Sequence, residues 1–474
     1  MRTIEHIYID GQFVEPHGRE LFDLHNPTTG EVIGRVRLGD VEDARSAIAA
    51  AKRALPRMAR TTKAERLQML EALHAALRAH VDELSEAVLE EYGAPASRSS
   101  WMADYAAGAF LVAARTLADF PLERDIGSAR VVMAPVGVVG LITPWNSNAG
   151  FICNKLAHVI AAGCTAVIKP SEMSAFQTEV VLRALHEAGL PAGVFNVVNG
   201  RGAEVGAEIA AHPDVAKISF TGSTSVGKAI VRASADTLKR VTLELGGKSP
   251  TIVLDDADQD AVIPGVIEIG FMNSGQACIA GTRVLVSEAR RAEFEARLKA
   301  AIEARVKVGD PRDPSTTVGP MVSQTQWERV QRYIRLGVEE GARLLTGGEG
   351  RPDGLNGYFV RPTVFTDVRN DMRIAREEIF GPVLSILTYR DEDDAVTIAN
   401  DTTYGLSAYV FGDQAKAERI AARLESGSVV INGAAHEPLA PFGGVKQSGL
   451  GRENGPFGLE AYLEPKTLLG ASAV

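Results

Sequence analysis

The sequence predicts an α/β protein with two doubly wound parallel sheets. Its 474 residues are too many for one compact core and indicate two or three domains. From residue 136 onward, apolar runs of strand length alternate with helical stretches, which is the pattern of a parallel sheet covered by helices on both faces. Hydrophobic residues make up 45% of the chain and charged residues 23%, as in an ordinary soluble globular protein.

The first 120 residues predict hairpins followed by helices. The predicted elements are a hairpin around Asp10-Gly11, a second extended pair flanking Asn26-Pro27 and Thr29-Gly30, a helix with a capping box at Thr62–Glu65 and apolar periodicity from Leu67 to about Tyr92, and a helix over Ser99–Leu117. Gly93 is expected to end the first helix, since glycine favours the left-handed backbone at helix ends.

Two sets of strands and helices follow. The first has strands at 137–143, 165–169, 194–198, 217–220 and 241–245, with helices at 151–162, 178–188 and 226–235. The second, from about residue 250 to 432, repeats the alternation with longer helices. Two segments, Leu122–Met133 and Leu463–Leu469, are predicted to be exposed strands outside both sets. A doubly wound sheet binds ligands at the carboxyl ends of its strands, so those ends are the first place to look for a site.

Charge and cysteine content limit the functional classes. The net charge of -10 disfavours nucleic acid as a partner. Neither a basic run nor an apolar run near 18 residues indicates a membrane. Three cysteines without a C-x-x-C pair, and no apolar stretch of signal-peptide length among the first ten residues, favour a cytoplasmic location. No histidine or cysteine cluster predicts a metal site.

A glycine-rich turn lies at residues 217–230, KISFTGSTSVGKAI. An apolar strand ends at Phe220, Gly222 and Gly227 bracket the turn, and a helix follows. The N–H groups at such a helix start can hold a pyrophosphate, although the glycine spacing also fits an ordinary turn. Gly200-Arg-Gly202, with its next glycine at 206, is spaced one residue too widely for a dinucleotide fingerprint and predicts a turn before a helix.

Two reactive side chains stand out. Cys278 lies among small residues in NSGQACIAGTR, which leaves room for a substrate beside the sulfur, although a free cysteine is commonly a buried structural residue. Glu244 interrupts the apolar strand of VTLELGGKSP. Desolvation there would raise its pKa and suit it to act as a general base, and the alternative is a buried ion-pair partner.

Seven motifs in order give the chain a resemblance over nearly its whole length to the aldehyde dehydrogenase superfamily, in its non-acylating, hydrolytic form. They are ITPWN (142–146), IKPSE (168–172), FTGSTSVG (220–227), LELGGKSP (243–250), GQACIAGTR (275–283), EEIFGPV (377–383) and PFGGVKQSGLGRE (441–453).

The resemblance implies three structural units and an assembly. Residues 1–117 and 137–245 would form a Rossmann-like dinucleotide-binding domain. Residues 246–440 would form the catalytic domain, with 441–462 returning to the cofactor side. Residues 118–136 and 463–474 would form a small β oligomerisation arm, and a homodimer or homotetramer would result.

The resemblance also implies residue roles. The catalytic set is Cys278 as nucleophile, Glu244 as general base, the Asn146 amide with the Cys278 N–H as oxyanion hole, and Lys155 in proton relay. The cofactor set is Trp145, Lys169, Glu172, Gly222, Ser223, Gly227, Leu245, Glu378 and Phe380. The substrate-pocket set is Ser147, Phe151, Asn154, Ala277, Ile279, His436 and Phe442. Ser147, Asn154 and the segment His436-Glu437-Pro438 depart from the usual pattern, and these departures affect the choice of substrate.

The implied reaction oxidises an aldehyde to a carboxylic acid through a thioester on Cys278, with NAD as cofactor and NADP possible. NAD is favoured because a 2′-phosphate would meet the carboxylate of Glu172. Two rival hypotheses are a CoA-acylating aldehyde dehydrogenase and a catalytically silent binding protein on the same scaffold. The presence of Glu244 argues against the first, and the presence of Cys278, Glu244 and Asn146 together argues against the second.

Overall fold

The structure is a computed structural model that describes residues 2–470, so the last four residues of the predicted arm, 471–474, lie outside the described residues. The helices are α1 Val41–Met58, α2 Lys63–Ala79, α3 Val81–Tyr92, α4 Ala96–Asp119, α5 Asn148–Ala162, α6 Ala175–Glu187, α7 Ala207–Ala211, α8 Thr224–Ser234, α9 Gln259–Phe271, α10 Arg291–Arg305, α11 Gln324–Glu339, α12 Arg373–Arg376, α13 Glu392–Asn400, α14 Gln414–Ala421 and α15 Gly455–Glu460.

The strands are β1 Arg2–Ile4, β2 Ile7–Ile9, β3 Gln12–Val14, β4 Leu21–His25, β5 Val32–Arg37, β6 Glu123–Ile126, β7 Ala129–Pro135, β8 Val138–Ile142, β9 Thr165–Lys169, β10 Phe195–Val197, β11 Val215–Thr221, β12 Arg240–Glu244, β13 Pro250–Val253, β14 Arg283–Ser287, β15 Arg343–Thr346, β16 Thr363–Thr366, β17 Val383–Tyr389, β18 Ser407–Phe411, β19 Ser428–Ile431, β20 Gly449–Leu450 and β21 Leu463–Leu469.

The first large sheet has the strand order β20-β12-β11-β8-β9-β10-β2-β3, and its central strands β12, β11, β8, β9 and β10 are parallel. Their carboxyl ends are aligned. Glu244 lies opposite Thr221, and Ile142 lies opposite Phe220 on one side and Lys169 on the other. This edge is where the alternation of strands and helices predicts a ligand.

Both faces of this sheet are buried. Val139 and Leu141 on β8 join a core formed with α2–α6, while Val138 and Ile142 join a second core on the opposite face. This alternation follows from the two-residue period of a strand. Because both faces are covered, the strand reads as a continuous apolar run, as the sequence shows.

The second large sheet has the order β15-β16-β17-β14-β13-β18-β19, and all its neighbours are parallel except β15 and β16. It also separates two cores, since Ile252 of β13 points into one and Val253 into the other. The predicted architecture of two doubly wound sheets is therefore confirmed.

Residues 245–249 connect the two sheets directly, since β12 ends at Glu244 and β13 begins at Pro250. The carboxyl edge of the first sheet consequently leads within a few residues into the amino edge of the second. The two sheets meet where the sequence changes from LEL to GGKSP.

Two three-stranded sheets complete the fold, with orders β1-β5-β4 and β21-β7-β6. The second of these pairs Leu463–Leu469 along the whole of Ala129–Pro135, so the two segments that fit neither predicted domain form one structure. All four residues of β6 are exposed.

Most local predictions are confirmed, with two differences. The segment Leu122–Met133, expected as an exposed strand, forms the hairpin of β6 and β7, in which Val131 and Met133 are buried. The hairpin at Asp10-Gly11 joins β2 to β3, and Thr62 and Glu65 form the capping box of α2. The single helix expected to run to Tyr92 is instead α2 and α3, which meet at His80. His80 takes non-helical backbone angles, and its ring pairs with Glu83 and Glu187. Between residues 2 and 470, no helix has the length and apolar content needed to cross a bilayer.

Candidate active site

The carboxyl edge of the first sheet carries the predicted base and half of the predicted oxyanion hole. Glu244 is the last residue of β12, and Asn146 follows β8 in the turn that leads into α5. Both side chains are buried, with relative exposures of 2% and 6%. The edge therefore presents a carboxyl group and an amide beneath the surface of the protein.

Within residues 2–470, neither carboxyl oxygen of Glu244 has a hydrogen-bond partner. Burial raises its pKa well above the ordinary value, the nearby charge of Glu453 adds to the rise, and Lys155 and Arg452 oppose it. The position of the carboxyl group also requires a residue without a side chain at Gly443, since a Cβ there would lie 2.7 Å from its Oε1. A buried carboxyl group without partners is free to exchange a proton with a substrate or a water molecule.

Lys155 forms a buried ion pair with Glu453, and its ammonium also donates to the Ser219 hydroxyl at 3.0 Å. The Ser219 hydroxyl in turn donates to Glu453 at 3.2 Å. The charges of Lys155 and Glu453 shift the pKa of Glu244 in opposite directions. The pair lies in the surroundings that set the proton affinity of the base.

Glu453 was not singled out by sequence reasoning, although it is the last residue of the PFGGVKQSGLGRE motif. Phe442, at the start of that motif, bridges to Glu453 by backbone hydrogen bonds of 2.8 and 2.7 Å. The only available signal was the position of a carboxylate at the end of a glycine-rich stretch.

The next carboxyl end, that of β9, carries Lys169 and Glu172, which pair at 3.0 Å. Arg201 approaches the same carboxylate at 3.6 Å and pairs with Glu20 at 2.6 Å. Burial opposes the charge of Glu172, but Lys169 and Arg201 together hold its pKa below the ordinary value. This end of the edge therefore presents a charged carboxylate between two cations. Sequence reasoning missed Arg201, having treated its glycine neighbours only as a turn.

The glycine-rich segment 217–230 forms the predicted strand, turn and helix. Ser223 caps α8 by accepting from the N–H of Val226 at 3.4 Å, and it lies exposed at the edge. Gly227 lets the helix approach Leu245, because a Cβ there would lie 2.7 Å from a Leu245 methyl group. The exposed start of α8 offers N–H groups and a favourable dipole for a phosphate group.

The second sheet contributes its residues from the opposite end, just before its strands. Cys278 precedes β14, and Glu378 and Phe380 precede β17. Glu378 and Cys278 both approach the connection between the sheets closely, because the residues that they contact there are glycines. A Cβ at Gly246 would lie 2.4 Å from Glu378 Oε2, and one at Gly247 would lie 2.3 Å from the carbonyl oxygen of Cys278. The two glycines after Glu244 therefore leave room for the segments that carry Glu378 and Cys278.

Cys278 is partly buried, whereas Cys153 and Cys164 are fully buried. Burial, followed by the charges of Glu378 and Glu244, raises the pKa of the Cys278 thiol to about 12, while its own N–H and that of Ile279 oppose the rise. The effect of Glu244 on this thiol places the predicted base and the predicted nucleophile in one electrostatic environment, although they belong to different sheets.

Asn146 lies against the nucleophile loop, because its amide donates to the carbonyl of Gln276 at 3.1 Å. Gln276 is two residues before Cys278 in the chain. The structure therefore brings together the three residues of the predicted catalytic core, Asn146, Glu244 and Cys278.

The side chains expected around the nicotinamide also come together. Glu378 accepts from the Gly247 N–H at 3.0 Å, and burial raises its pKa to about 7. Phe380 packs edge-on against Trp145, with ring centroids 5.4 Å apart and an angle of 89°. This contact joins the amino edge of the second sheet to the carboxyl edge of the first.

The predicted pocket residues are less uniform. Ser147, Phe151, Ile279 and Phe442 are partly buried, Ala277 is buried and His436 is exposed. Asn154 is buried, and its amide donates to Asn454 at 3.1 Å. Asn154 is therefore held beside the Lys155–Glu453 pair.

Known proteins resemble this chain over nearly its whole length. The family profile described as "Aldehyde dehydrogenase family" matches residues 13–468. The chain belongs to the aldehyde dehydrogenase family. The predicted family, fold class and enzyme class are confirmed by this match and by relatives that are aldehyde dehydrogenases.

Three relatives of this aldehyde dehydrogenase are informative. It is 47% identical to 3-succinoylsemialdehyde-pyridine dehydrogenase from a Pseudomonas species, covering 99% of both chains. An aldehyde dehydrogenase C variant from Pseudomonas syringae, solved with NAD+ and octanal, is 43% identical with a TM-score of 0.97, covering 99% of this chain and 98% of that one. The Mycobacterium tuberculosis aldehyde dehydrogenase solved with NAD+ is 39% identical with a TM-score of 0.95, covering 99% of both chains.

Proposed function

We propose that this aldehyde dehydrogenase converts an aldehyde to a carboxylic acid with NAD as cofactor, through a thioester on Cys278 that water hydrolyses. The observation that carries the proposal is the placement of Glu244. It is a buried carboxyl group without a hydrogen-bond partner, and its charge raises the pKa of the Cys278 thiol. Nucleophile and base therefore face a shared space.

The first step needs a thiolate at Cys278. Because burial and two carboxylates raise the pKa of the thiol to about 12, its proton must pass to a nearby acceptor. Because Cys278 is only partly buried, a water molecule can carry this proton to the solvent, and Glu244 remains available for the second step. The sulfur then bonds to the aldehyde carbon, and the carbonyl oxygen gains the charge that the Asn146 amide and the Cys278 N–H stabilise.

The residues present fit NAD. Lys169 and Glu172 can hold ribose hydroxyls, the start of α8 can hold the pyrophosphate, and Glu378 with Phe380 can hold the nicotinamide ribose and ring. The polar atoms for this are in place, including a Glu378 carboxylate fixed by one N–H. The bound cofactor supplies the acceptor for the hydride that leaves the aldehyde carbon. NAD+ complexes of solved family members support this choice of cofactor.

The second step releases the acid. A water molecule loses a proton to Glu244, its oxygen bonds to the thioester carbon, and the carbon–sulfur bond breaks. A thioester is stable enough in water to need such a base. Glu244 must then lose this proton again, and we assign its removal to the Lys155–Glu453 pair, whose charges act on Glu244. A CoA-acylating enzyme would not need this base, because an incoming thiolate is itself a strong nucleophile.

The substrate is proposed to be a functionalised or aromatic aldehyde. Ser147 follows Asn146 in the chain, Asn154 is a buried polar residue that donates to Asn454, and His436 adds an exposed imidazole. A relative named for a pyridine semialdehyde, 47% identical, supports an aldehyde with a heteroaromatic ring.

The division into a cofactor domain, a catalytic domain and an arm is part of the same proposal, and so is assembly as a dimer or tetramer. The arm is the sheet of β6, β7 and β21, whose outer strand is exposed and presents unpaired backbone groups. Ile126 and Leu469 are large apolar side chains exposed on it, at 56% and 81%. Light scattering at micromolar concentration should give a mass above that of the monomer, and a monomeric mass would contradict the proposal.

The test of the reaction is absorbance at 340 nm with purified enzyme, NAD and a panel of aliphatic, aromatic and charged aldehydes. We expect aldehyde-dependent NADH formation, the largest kcat/KM for a ring-bearing or functionalised aldehyde, and no effect of added CoA on turnover. Consumption of CoA in step with NADH would favour the acylating alternative. Absence of NADH with every aldehyde would favour the silent scaffold, and a strong preference for acetaldehyde would contradict the substrate proposal.

A further inference from the structure

The nucleophile loop begins with three consecutive residues in the left-handed region. Asn273 has φ 51° and ψ 37°, Ser274 has φ 58° and ψ 33°, and Gly275 has φ 74°. Left-handed backbone is unfavourable for serine and only tolerated by asparagine. Such a turn persists only where surrounding contacts hold it, and strained turns of this kind cluster at functional sites.

Contacts from the second sheet's own domain hold the later part of the turn. Ser274 Oγ accepts from the Gly319 N–H at 2.9 Å, and Gln276 Oε1 accepts from the Val322 N–H at 2.9 Å. These bonds fix the turn to the segment before α11. Gln276 also donates from its backbone N–H and its Nε2 to the Asn273 carbonyl, at 3.0 and 3.4 Å, but none of these bonds engages the Asn273 side chain.

Asn273 is held from the other side of the active site. Arg98, on α4, donates from Nε to Asn273 Oδ1 at 2.6 Å. Its guanidinium lies 3.8 Å from the ring centroid of Trp101, and Trp101 stacks on Tyr105 with centroids 5.2 Å apart at 13°. Arg98 is therefore clamped in one orientation. A lysine could not replace it, because only a planar guanidinium can stack and donate in this way.

This stack ends against the element that follows the oxyanion amide. Tyr105 packs on Gly150 of α5, where a Cβ would lie 3.0 Å from the Tyr105 ring. Asn146 lies four residues earlier, in the turn that leads into α5. The stack of Arg98, Trp101 and Tyr105 therefore spans from the start of the nucleophile turn to the segment that carries the oxyanion amide.

We propose that Arg98 is a positioning residue that holds the strained turn at Asn273, and thereby fixes Cys278 relative to the amide of Asn146. Arg98 acts through Asn273 and touches none of the reacting atoms. The inference rests on the proposed role of Cys278 as nucleophile. It assigns to α4, which lies on the cofactor side, a part in aligning a residue of the second sheet.

The test compares Arg98→Met, Asn273→Ala and the double variant by two measurements. In single-turnover mixing with NAD and the preferred aldehyde, each single variant should form NADH at least tenfold more slowly, while NAD binding stays within twofold. Alkylation of Cys278 by iodoacetamide without aldehyde, followed by peptide mass spectrometry, should become at least threefold faster, since a loosened turn lets water reach the thiol. The double variant should be no more affected than the worse single variant, because both substitutions remove the same Arg98–Asn273 hydrogen bond.

Controls separate this role from general destabilisation. Arg78→Met removes a surface ion pair between α2 and Asp104 on α4, and both rates should stay within twofold of wild type. Cys153 and Cys164 should remain unalkylated in every variant, because their alkylation would show unfolding. If a variant does unfold, the milder Trp101→Leu, which removes the ring stacked on Arg98, should still slow NADH formation and speed the alkylation of Cys278, each at least threefold. Multiplying effects in the double variant, or Arg98→Met rates within twofold of wild type, would overturn the inference. Absence of NADH in the wild type would contradict the proposed function alone, since the alkylation measurement would still test Arg98.

Discussion

The two large sheets supply the active site from opposite ends. In the first sheet the relevant side chains lie at the ends of the strands, since Glu244 is the last residue of β12 and Lys169 is the last residue of β9. In the second sheet they precede the strands, as Cys278 precedes β14 and Glu378 precedes β17. The short connection at 245–249 brings these two edges together. The proposed base and the proposed nucleophile therefore belong to different sheets, and their alignment depends on contacts that cross between them.

This difference suggests a division of labour. The edge of the first sheet holds the groups proposed to bind the cofactor, to stabilise the oxyanion and to activate water. The edge of the second sheet holds the residues proposed to act as nucleophile and to contact the nicotinamide. Substitutions at the two edges should then affect different steps of the reaction, and each prediction below tests one side of the comparison.

The largest effect is expected at the second sheet. Cys278→Ala removes the only group proposed to bond to the aldehyde carbon, so kcat should fall by about 10,000-fold or more, as with other covalent nucleophiles. NAD binding should remain within a few-fold, because the cofactor groups belong mainly to the other edge. Isothermal titration and steady-state assays check both statements. Cys153→Ala is the matched control, because Cys153 is buried in the core; retained activity in Cys278→Ala, or equal loss in both, would show the assignment to be wrong.

A smaller effect is expected from the oxyanion amide on the first sheet. Asn146→Ala removes one donor to the developing charge, and kcat should fall by about 100- to 1,000-fold. Because the donor acts on the transition state, KM should change little. Steady-state kinetics with the preferred aldehyde measures the split. A loss confined to KM would mean that Asn146 binds the substrate in its ground state.

The smallest effect concerns the cofactor end of the first sheet. NAD should have the higher kcat/KM in the wild type, because a 2′-phosphate would meet the carboxylate of Glu172. Glu172→Gln should shift the ratio of the two kcat/KM values towards NADP by about fivefold, and Arg201→Ala should shift it away by a similar factor, since each is a single partly screened charge. Equal kcat/KM for both cofactors in the wild type would contradict the role of Glu172.

The two edges also differ in how far sequence could predict them. Alternating strands and helices, with the rule for carboxyl ends, locate Glu244 and the glycine-rich start of α8 from residue patterns alone. No such rule points to Glu378 or Phe380, which lie before their strands and were found through family motifs. Cys278 stood out through its small neighbours, but only the motifs gave it a catalytic role. Contacts between distant segments, such as Lys155 with Glu453 and Arg98 with Asn273, join residues 298 and 175 positions apart. Such pairings are set by tertiary packing, and local sequence carries no sign of them.

The pH dependence of the second half-reaction follows from the burial of Glu244. Its raised pKa means that the carboxyl group keeps its proton to a higher pH than an ordinary glutamate, and the protonated form cannot accept a proton from water. Turnover limited by hydrolysis should therefore rise with pH and level off once Glu244 is ionised. This acidic limb of the kcat profile should be absent in Glu244→Gln.

The most direct test of the whole account is rapid mixing of Glu244→Gln with NAD and the preferred aldehyde. If the first sheet supplies the base for hydrolysis and the second supplies the nucleophile, acylation survives and deacylation stalls. We predict one burst of NADH per active site followed by turnover at least 100-fold slower than in the wild type, with the acyl group found on Cys278 by mass spectrometry. Turnover at near wild-type rate without accumulation of the thioester would contradict the account.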